Sequence, residues 1–267
     1  MADPARLTGL SGSLVLVRHG ETTWITEGRF QGRGDPPLSA LGELQAVRVG
    51  LRLADPAATP ALPLPDDAPI AIRHSPLQRA AFVAARVADG WPGTPVMVDA
   101  DLAELDQGAW EGLTGHEVNA RYATELAAWR RDPVHHHAPG GESLQEASVR
   151  AGRAAERLLD ALRVAVEAVP PPAVPRPPTG HVLGYARPGA DGEPWPWLVA
   201  VAHDGLLRLV LLDLLGVSLD AYWSFPFALC GVTIVEVRAG VARLRAHNLA
   251  DHLDGLVPEA PPGLPGR

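Results

Sequence analysis

The sequence predicts an α/β fold, a three-layer α/β/α sandwich with a mainly parallel central sheet. Short apolar runs typical of buried strands alternate with segments of helical apolar spacing. This alternation favours parallel strands covered by helices on both faces. The 267 residues suffice for one large domain with a full core. We expect a single domain over residues 1–267, with its catalytic core at about 13–250.

The composition is that of a globular protein, with 46% hydrophobic and 20% charged residues. A formal net charge of −8 argues against binding to a nucleic-acid backbone. The single cysteine, Cys230, excludes an internal disulfide framework and fits a reducing compartment. No apolar run has the length of a membrane span. We expect a soluble, cytoplasmic protein without nucleic-acid or membrane partners. A homodimer is compatible with the sequence.

The first elements are a fully buried strand over residues 13–18 and, after a glycine-rich loop, a helix from Leu38 to Ala54. The strand is a continuous apolar run, and the helix shows apolar residues at helical spacing. These regularly spaced apolar residues are Leu41, Leu44, Val47 and Leu51.

A second strand and helix follow a loop rich in proline, aspartate and alanine. A short strand is predicted at Ile70 to Ile72, and a helix runs from Ser75-Pro76 to about Ala88. Ser75 is expected to cap this helix, because serine favours the N-cap and proline the first helical position. Another short strand is expected at Val96 to Val98.

The middle of the chain is predicted to be helical, with one extended insertion. A helix near 115–131 lies within a segment, about 109–141, that we expect to cap the site. Ser143 and Glu146 form a capping box that opens a long helix. The stretch at about 170–196 begins with many prolines, so we expect an extended surface insertion within one domain.

The C-terminal part returns to strands. A strand at Leu198 to Ala202 ends in His203, and an apolar helix spans Leu206 to Leu215. The runs Val232 to Val237 and Val241 to Arg245 predict a terminal hairpin around Ala239-Gly240.

Two predicted strands end in a histidine, and parallel strands place their carboxyl ends at one edge of the sheet. His19 follows the first strand directly after Arg18, His203 follows a later one, and Arg79 comes soon after a third. An acidic, glycine-rich turn spans 102–112. An imidazole can accept a phosphoryl group covalently, arginines clamp its oxygens, and a carboxylic acid can protonate the leaving oxygen. The residues therefore predict phosphoryl transfer without a metal.

Several motifs in one fixed order resemble the histidine phosphatase superfamily, the phosphoglycerate mutase-like group. The match extends over roughly residues 13–210, and the six motifs together make it specific. The matching stretches are Leu16 to Thr22 with Trp24, Gly28 to Gly32 with Pro37 to Ser39, Ser75 to Ala80, Leu102 to Gly112, Gly140 to Ser143, and Val201 to His203.

The resemblance implies a role for each main site residue. His19 would be the phosphorylated nucleophile, and Glu104 would be the general acid and later the base that activates water. Arg18, Arg79 and His203 would bind the phosphoryl group. The resemblance implies neither a metal nor another cofactor, and the substrate would be a small phosphorylated metabolite. We expect the two guanidinium groups to keep the imidazole of His19 neutral near pH 7.

Other residues near the motifs are candidate phosphate or substrate contacts. Thr22, Gln31 and Ser75 could serve in this way or simply cap local structure. The family usually has asparagine where this chain has Ile25. One phosphate-contacting amide is therefore missing, unless Gln31 or Thr26 replaces it.

Acidic residues around the site raise alternatives. The family's usual glycine after the second histidine is Asp204 here, which could repel the product or bind a hydroxyl or amine of the substrate. Asp106 and Glu111 compete with Glu104 for the acid role, but we expect them to form turns or face solvent. Glu21 is expected to act only through a neighbouring residue.

Two further clusters have competing interpretations. His135 to His137 could suggest a metal site, but consecutive residues of a regular element cannot converge on one ion, so we expect a loop beside the pocket. Trp110 and Tyr122 are expected to cover the pocket, whereas Trp129 is expected to pack in a helix core. Asn248 and His252 are expected only to tie down the C-terminal tail.

Three activities fit the motifs: a phosphatase, a cofactor-dependent phosphoglycerate mutase, and a catalytically weak phosphate-binding protein. The mutases that the chain resembles carry a longer, more arginine-rich insertion between the positions of Gly112 and Gly140. Arg130 and Arg131 are present here, but at a helix end. The short segment favours the phosphatase, and the complete set of histidines, arginines and Glu104 disfavours the binding protein.

Overall fold

A six-stranded sheet forms the centre of the computed structural model, which describes residues 4–168, 188 and 194–256. Its strands lie in the spatial order β3-β2-β4-β1-β5-β6. The strands are β1 (Ser11–Arg18), β2 (Ile72–His74), β3 (Val96–Val98), β4 (Trp197–Ala202), β5 (Val232–Arg238) and β6 (Val241–Leu249).

Strands β1 to β4 are mutually parallel, and the β5–β6 hairpin is added antiparallel at one edge. This confirms the mainly parallel sheet and the terminal hairpin. Strand β1 is paired on both sides, with β4 and with β5. Because Arg18 pairs with Ala202 in parallel register, the two residues that follow, His19 and His203, leave the sheet side by side.

Helices pack against both faces of the sheet, which confirms the three-layer sandwich. Alternate residues of β1 point to opposite faces. Leu14 and Leu16 belong to one buried cluster, and Val15 and Val17 to the other. The first cluster includes apolar residues of α5 and α6, and the second includes those of α2 and α3. The helices are α1 (Thr23–Thr26), α2 (Ala40–Ala54), α3 (Gln78–Asp89), α4 (Gly115–Arg131), α5 (Leu144–Glu167) and α6 (Asp204–Leu215).

The helices α4 and α5 begin as the sequence predicts. Each has a capping box, formed by Thr114 with Glu117 and by Ser143 with Glu146. In each box the side chain at the N-cap and the glutamate three residues later satisfy each other's backbone N–H groups. Helix α4 is kinked at Tyr122, where the backbone dihedral angles are not helical.

The predicted start of α3 is wrong, because the second strand lies two residues later than expected. This strand extends to His74, and α3 begins at Gln78 with Leu77 at the N-cap. Ser75 is not the N-cap residue: its hydroxyl accepts a hydrogen bond of 3.2 Å from the N–H of Leu77 and lies 2.7 Å from Nε2 of His203. Instead, the carboxylate of Asp35 accepts hydrogen bonds of 2.9 and 3.0 Å from the backbone N–H of Gln78.

Most of the apolar residues that predict α2 lie outside its buried face. Leu44, Val47 and Leu51 are 51%, 41% and 64% exposed. The helix packs on the sheet through the stripe that contains Val49 and Leu53, both fully buried. Both stripes have helical periodicity, so periodicity cannot choose between them. Two glycines on the buried side favour the observed orientation. Gly42 allows a close approach to the backbone of Glu21 in the loop after β1, and Gly50 allows a close approach to Arg86 of α3.

The end of the described chain is held by polar contacts, as the sequence predicts. The Asn248 side chain accepts a hydrogen bond from the backbone N–H of Ala228, and Nε2 of His252 lies 3.0 Å from the carbonyl of Cys230. Most of the predicted insertion at 170–196 lies outside the described residues. Among the helices that the structure describes, none has the length and apolar character needed to cross a membrane.

Candidate active site

His19 follows the last residue of β1 and is buried. Its Nδ1 lies 2.7 Å from the carbonyl oxygen of Gly20. Because a carbonyl can only accept a hydrogen bond, Nδ1 carries the proton and Nε2 has the free lone pair. Burial, followed by the positive charges of Arg18 and Arg79, holds the pKa of His19 well below its ordinary value of 6.5. The ring therefore has the neutral form and the tautomer that a nucleophile requires.

His203 occupies the corresponding position after β4 and is fully buried. Its ring centroid lies 5.0 Å from that of His19. Its Nε2 contacts the hydroxyl of Ser75, whereas its buried Nδ1 has no hydrogen-bond partner among the described residues. If the hydroxyl donates to Nε2, the proton of this ring is on Nδ1, available to an oxyanion.

The guanidinium groups of Arg18 and Arg79 are fixed by backbone carbonyls. Nη1 of Arg18 donates to the carbonyl of Phe227 over 2.7 Å. Arg79 donates to the carbonyls of Gly34 and Gly32 over 2.7 and 2.9 Å. In both arginines the buried Nε has no partner in the described part of the chain. In both side chains, Nη atoms thus hold the guanidinium group in place, and the Nε–H group remains free to bind an anion.

Glu104 is buried beside the N-terminus of α6. Its carboxylate accepts hydrogen bonds from the N–H of Leu105 over 2.9 Å and of Leu206 over 3.1 Å. Burial raises the pKa of Glu104, and the charge of Asp204 adds to this, although the N–H of Leu105 opposes it. A carboxyl group with a raised pKa keeps its proton at higher pH, as a general acid requires.

Thr22 and Gln31 form a connected pair near the nucleophile's loop. The hydroxyl of Thr22 donates to Oε1 of Gln31 over 2.8 Å and accepts from the N–H of Ile25. The amide nitrogen of Gln31 is consequently the group left to donate. Thr26 donates to the carbonyl of Thr23 and is thus engaged within its own helix. Of the two candidates to replace the missing asparagine, this geometry favours Gln31.

Asp204 forms an ion pair that the sequence analysis did not anticipate. Its carboxylate accepts hydrogen bonds of 3.0 and 2.8 Å from Arg208, and a third of 2.9 Å from the N–H of Phe227. The guanidinium group offsets the charge of Asp204. These contacts favour a structural role over the expected contact with product or substrate.

The other acidic candidates are bound to the backbone or to a neighbour. Asp106 accepts from the N–H of Gly108, which makes it a turn residue. The carboxylate of Glu111 accepts from the N–H groups of Arg33 and Gly34. Glu21 accepts from the hydroxyl of Ser39. These contacts leave Glu104 as the acid with the most suitable surroundings.

Arg150 supports the site, although the sequence analysis did not single it out. It projects from the buried face of α5 and donates to the carbonyls of Asp101 and Ala103 over 2.8 and 2.6 Å. It also binds the carboxylate of Glu142 over 2.7 Å and the carbonyl of Glu104 over 3.3 Å. The signal was present, because an arginine lies within an otherwise apolar stripe of the helix.

The segment predicted to cap the site contains an aromatic cluster. Trp110 is fully buried, and Trp129 contacts Phe30, Trp110 and Trp223 through edge-on ring pairs. The expectation that Trp129 packs among other side chains agrees with these contacts. His135 is exposed and binds Asp132. The described residues contain no group of three or more histidine, cysteine or acidic side chains arranged for a metal ion.

The predicted nucleophile, phosphate ligands and acid thus meet at the carboxyl ends of β1 and β4. A family model of the histidine phosphatase superfamily (branch 1) matches residues 14–166 and 186–250. The chain therefore belongs to this superfamily, as the resemblance implied. It is an enzyme of the phosphoric monoester hydrolase class.

Two curated relatives match most of the chain. Phosphoserine phosphatase 1 of Hydrogenobacter thermophilus is 26% identical over 247 residues, covering 92% of this chain and 97% of the relative. Glucosyl-3-phosphoglycerate phosphatase of Mycolicibacterium vanbaalenii is 33% identical over 210 residues, covering 78% of this chain and 76% of the relative.

A solved structure shows the same fold. The native structure of a mycobacterial glucosyl-3-phosphoglycerate phosphatase superposes with a TM-score of 0.68 at 26% identity. The superposition covers 90% of this chain and all of that one. The similarity extends over the sheet and its helices, so it supports the fold class independently of the motifs.

Proposed function

We propose that this protein is a metal-independent phosphatase that hydrolyses a small phosphomonoester through a phosphohistidine intermediate on His19. One observation carries the proposal. The ring of His203 lies 5.0 Å from that of His19, and the charges of Arg18 and Arg79 act on both imidazoles. Arg18, Arg79 and His203 each have a buried nitrogen atom without a partner among the described residues. A phosphoryl group would supply the oxygen atoms that these nitrogens lack.

In the first step, Nε2 of His19 attacks phosphorus and the ester P–O bond breaks. Glu104 gives its proton to the departing oxygen, so the alcohol leaves neutral. Arg18, Arg79 and His203 hold the three non-bridging oxygens and offset their charge. In this scheme the proton needed by the alcohol comes from a carboxyl group whose pKa burial has raised.

In the second step, water attacks the phosphohistidine. The carboxylate of Glu104 accepts a proton from the water, the P–N bond breaks, and inorganic phosphate leaves. The lone pair of His19 is restored and Glu104 is protonated again, so one cycle consumes one ester and one water. In this scheme the arginines offset the charge of the phosphoryl group and His203 donates a hydrogen bond to it, so no metal takes part.

The two curated relatives are named as phosphatases of organic phosphomonoesters, which supports hydrolysis over the mutase reaction. A small phosphorylated metabolite as substrate and a cytoplasmic location form part of the same proposal.

The test is turnover of p-nitrophenyl phosphate in excess chelator, with wild type and a His19→Asn variant. We expect wild-type activity to persist with chelator. Because the covalent route is lost, His19→Asn should reduce kcat by roughly 10³-fold or more. Rapid quenching in alkaline detergent, in which phosphohistidine is stable, with a ³²P-labelled ester should trap label on the wild type and none on the variant.

His116→Asn is the matched control, since His116 is exposed on α4. It should retain both turnover and the trapped label. Full activity of His19→Asn, or loss of wild-type activity in chelator, would refute the mechanism. Phosphate transfer to a second phosphoglycerate in place of release to water would identify the mutase.

A further inference from the structure

A short segment after α6 forms a wall beside Glu104, the proposed general acid. Residues Leu219–Ser224 make a 3-10 helix that packs on α6. The residue Tyr222 in this helix is 4% exposed, and the neighbouring Trp223 is 41% exposed. Their rings meet edge-on, with centroids 4.8 Å apart. None of the motifs in the sequence includes this segment.

Arg208 holds this wall in position. Its Nη1 donates to the carbonyl of Tyr222 over 3.2 Å. Its guanidinium carbon lies 5.4 Å from the ring centroid of Tyr222 and 5.1 Å from that of Trp223, within the range of cation–π attraction. Arg208 is itself held by Asp204. The acidic residue that departs from the family pattern therefore positions the two aromatic side chains.

The hydroxyl of Tyr222 lies next to the carboxylate of Glu104. A β-carbon at Gly205 would lie 2.7 Å from Oε1 of Glu104 and 3.0 Å from the hydroxyl oxygen of Tyr222. The two groups thus border the same small space, which glycine leaves open. Among the described residues the hydroxyl has no hydrogen-bond partner. Burial, then the charge of Glu104, raises the pKa of Tyr222, so the hydroxyl remains a donor.

We propose that Tyr222 is a substrate-contacting residue whose hydroxyl donates a hydrogen bond to the ester oxygen beside Glu104, favouring phosphate esters of aliphatic alcohols. The inference rests on the proposed function. When the P–O bond breaks, the oxygen takes its proton from Glu104, and Tyr222 keeps its own. The leaving oxygen of an aliphatic alcohol is much more basic than that of nitrophenol, so its departure gains more from an extra hydrogen-bond donor.

The experiment compares Tyr222→Phe with wild type on two aliphatic esters, glycerol 2-phosphate and phosphoserine, and on p-nitrophenyl phosphate. For the aliphatic esters we expect kcat/KM to fall about 10-fold, the effect of one hydrogen bond. For p-nitrophenyl phosphate the change should stay below about 2-fold, because nitrophenolate leaves without such help. The melting temperature should not change, since the hydroxyl bonds no other described group.

His116→Asn, altered at an exposed position on α4, is the control and should leave all three substrates unaffected. Equal loss on aliphatic and aryl esters, or no loss on the aliphatic esters, would overturn the inference. Wild-type turnover of p-nitrophenyl phosphate without turnover of either aliphatic ester would overturn it as well. Wild-type inactivity on every ester would instead contradict the proposed function.

Discussion

The carboxyl group of Glu104 and the imidazole of His19 have pKa values displaced towards each other. Burial raises the pKa of Glu104 above 4.5, and burial with two arginines lowers that of His19 below 6.5. In the proposed mechanism the first chemical step needs a protonated Glu104 and a neutral His19. The rate kcat/KM should therefore fall as pH rises through the pKa of Glu104, and as pH drops through that of His19.

Replacing Glu104 by glutamine tests this residue directly. Because the leaving oxygen loses its proton donor, kcat/KM for an aliphatic ester should fall by roughly 10²- to 10⁴-fold. The alkaline limb of the pH profile should disappear, while the acid limb set by His19 stays. The measurement is a pH–rate profile of wild type and Glu104→Gln.

Asp106→Asn provides the control, because an asparagine oxygen can still accept the hydrogen bond from Gly108. This variant should keep the wild-type rate and both limbs. An unaltered profile in Glu104→Gln, or a large loss in Asp106→Asn, would assign the acid role to Asp106.

Residues that end a strand were predictable, whereas residues that act through long-range contacts were not. His19 and His203 each follow an apolar run, and parallel strands bring such ends together. The contact of Tyr222 with the space beside Glu104 depends on how the segment after α6 folds back. No local sequence pattern predicts how close Tyr222 comes to Glu104. Asp204 shows the same limit, since its partner Arg208 decides its role.

At the scale of single elements, α5 supports the acid-bearing turn through Arg150. This side chain is largely buried and binds three backbone carbonyls and the carboxylate of Glu142. Arg150→Met removes these donors and leaves Glu142 without its closest cation. We expect a loss of about 3–5 kcal/mol in the free energy of unfolding, typical of breaking a buried ion pair. Chemical denaturation of wild type and variant measures it.

Arg153→Met is the comparison for that experiment. Arg153 projects from the same helix and binds Asp101, but its side chain is 55% exposed. An exposed ion pair contributes about 0–1 kcal/mol, so this variant should remain close to wild type. Similar losses in the two variants would show that burial of Arg150 has no special effect.

The elements themselves were largely predictable, and the errors have physical causes. Helices α4 and α5 begin where their capping boxes indicate. Helix α3 begins later than expected, because β2 extends to His74 and moves the start of the helix along the chain. The apolar spacing of α2 predicted the helix but not its buried face, because Leu44 and Leu51 repeat at the same period as the buried stripe. A local pattern shows that a helix is amphipathic, but not which neighbours it meets.

At the scale of the whole molecule, the buried histidines couple stability to pH. The pKa values of His19 and His203 in the folded state lie well below 6.5. The unfolded chain therefore binds more protons than the folded chain below that pH. The contribution is complete above pH 6.5 and is lost as pH falls towards the folded-state values.

We expect the melting temperature of the wild type to depend more steeply on pH between about 5 and 7 than that of His203→Gln. Thermal unfolding of both proteins across this range is the measurement. The His116→Asn variant, altered at an exposed position, should follow the wild type. Parallel curves for wild type and His203→Gln would show that His203 titrates alike in both states.

The layered architecture was predictable, but the strand order was not. The alternation of strands and helices indicates a covered parallel sheet, and the hairpin around Gly240 is a local feature. Strand β4 enters between β1 and β2, although more than a hundred residues separate it from either. That insertion brings His203 beside His19. It depends on pairing between segments that are distant in the sequence, and hydrophobic periodicity does not predict such pairing.

Strand β1 lies between two neighbours, and Leu14 to Val17 are fully buried. In the proposed mechanism the phosphoryl group binds at the end of this strand, where substitutions of the core also lower stability. The proposed contact with the alcohol group comes from Tyr222, whose neighbour Trp223 is partly exposed to solvent. Variant libraries aimed at new esters should therefore randomise the region around Trp223. Such substitutions leave the proposed catalytic residues at the ends of β1 and β4 unchanged.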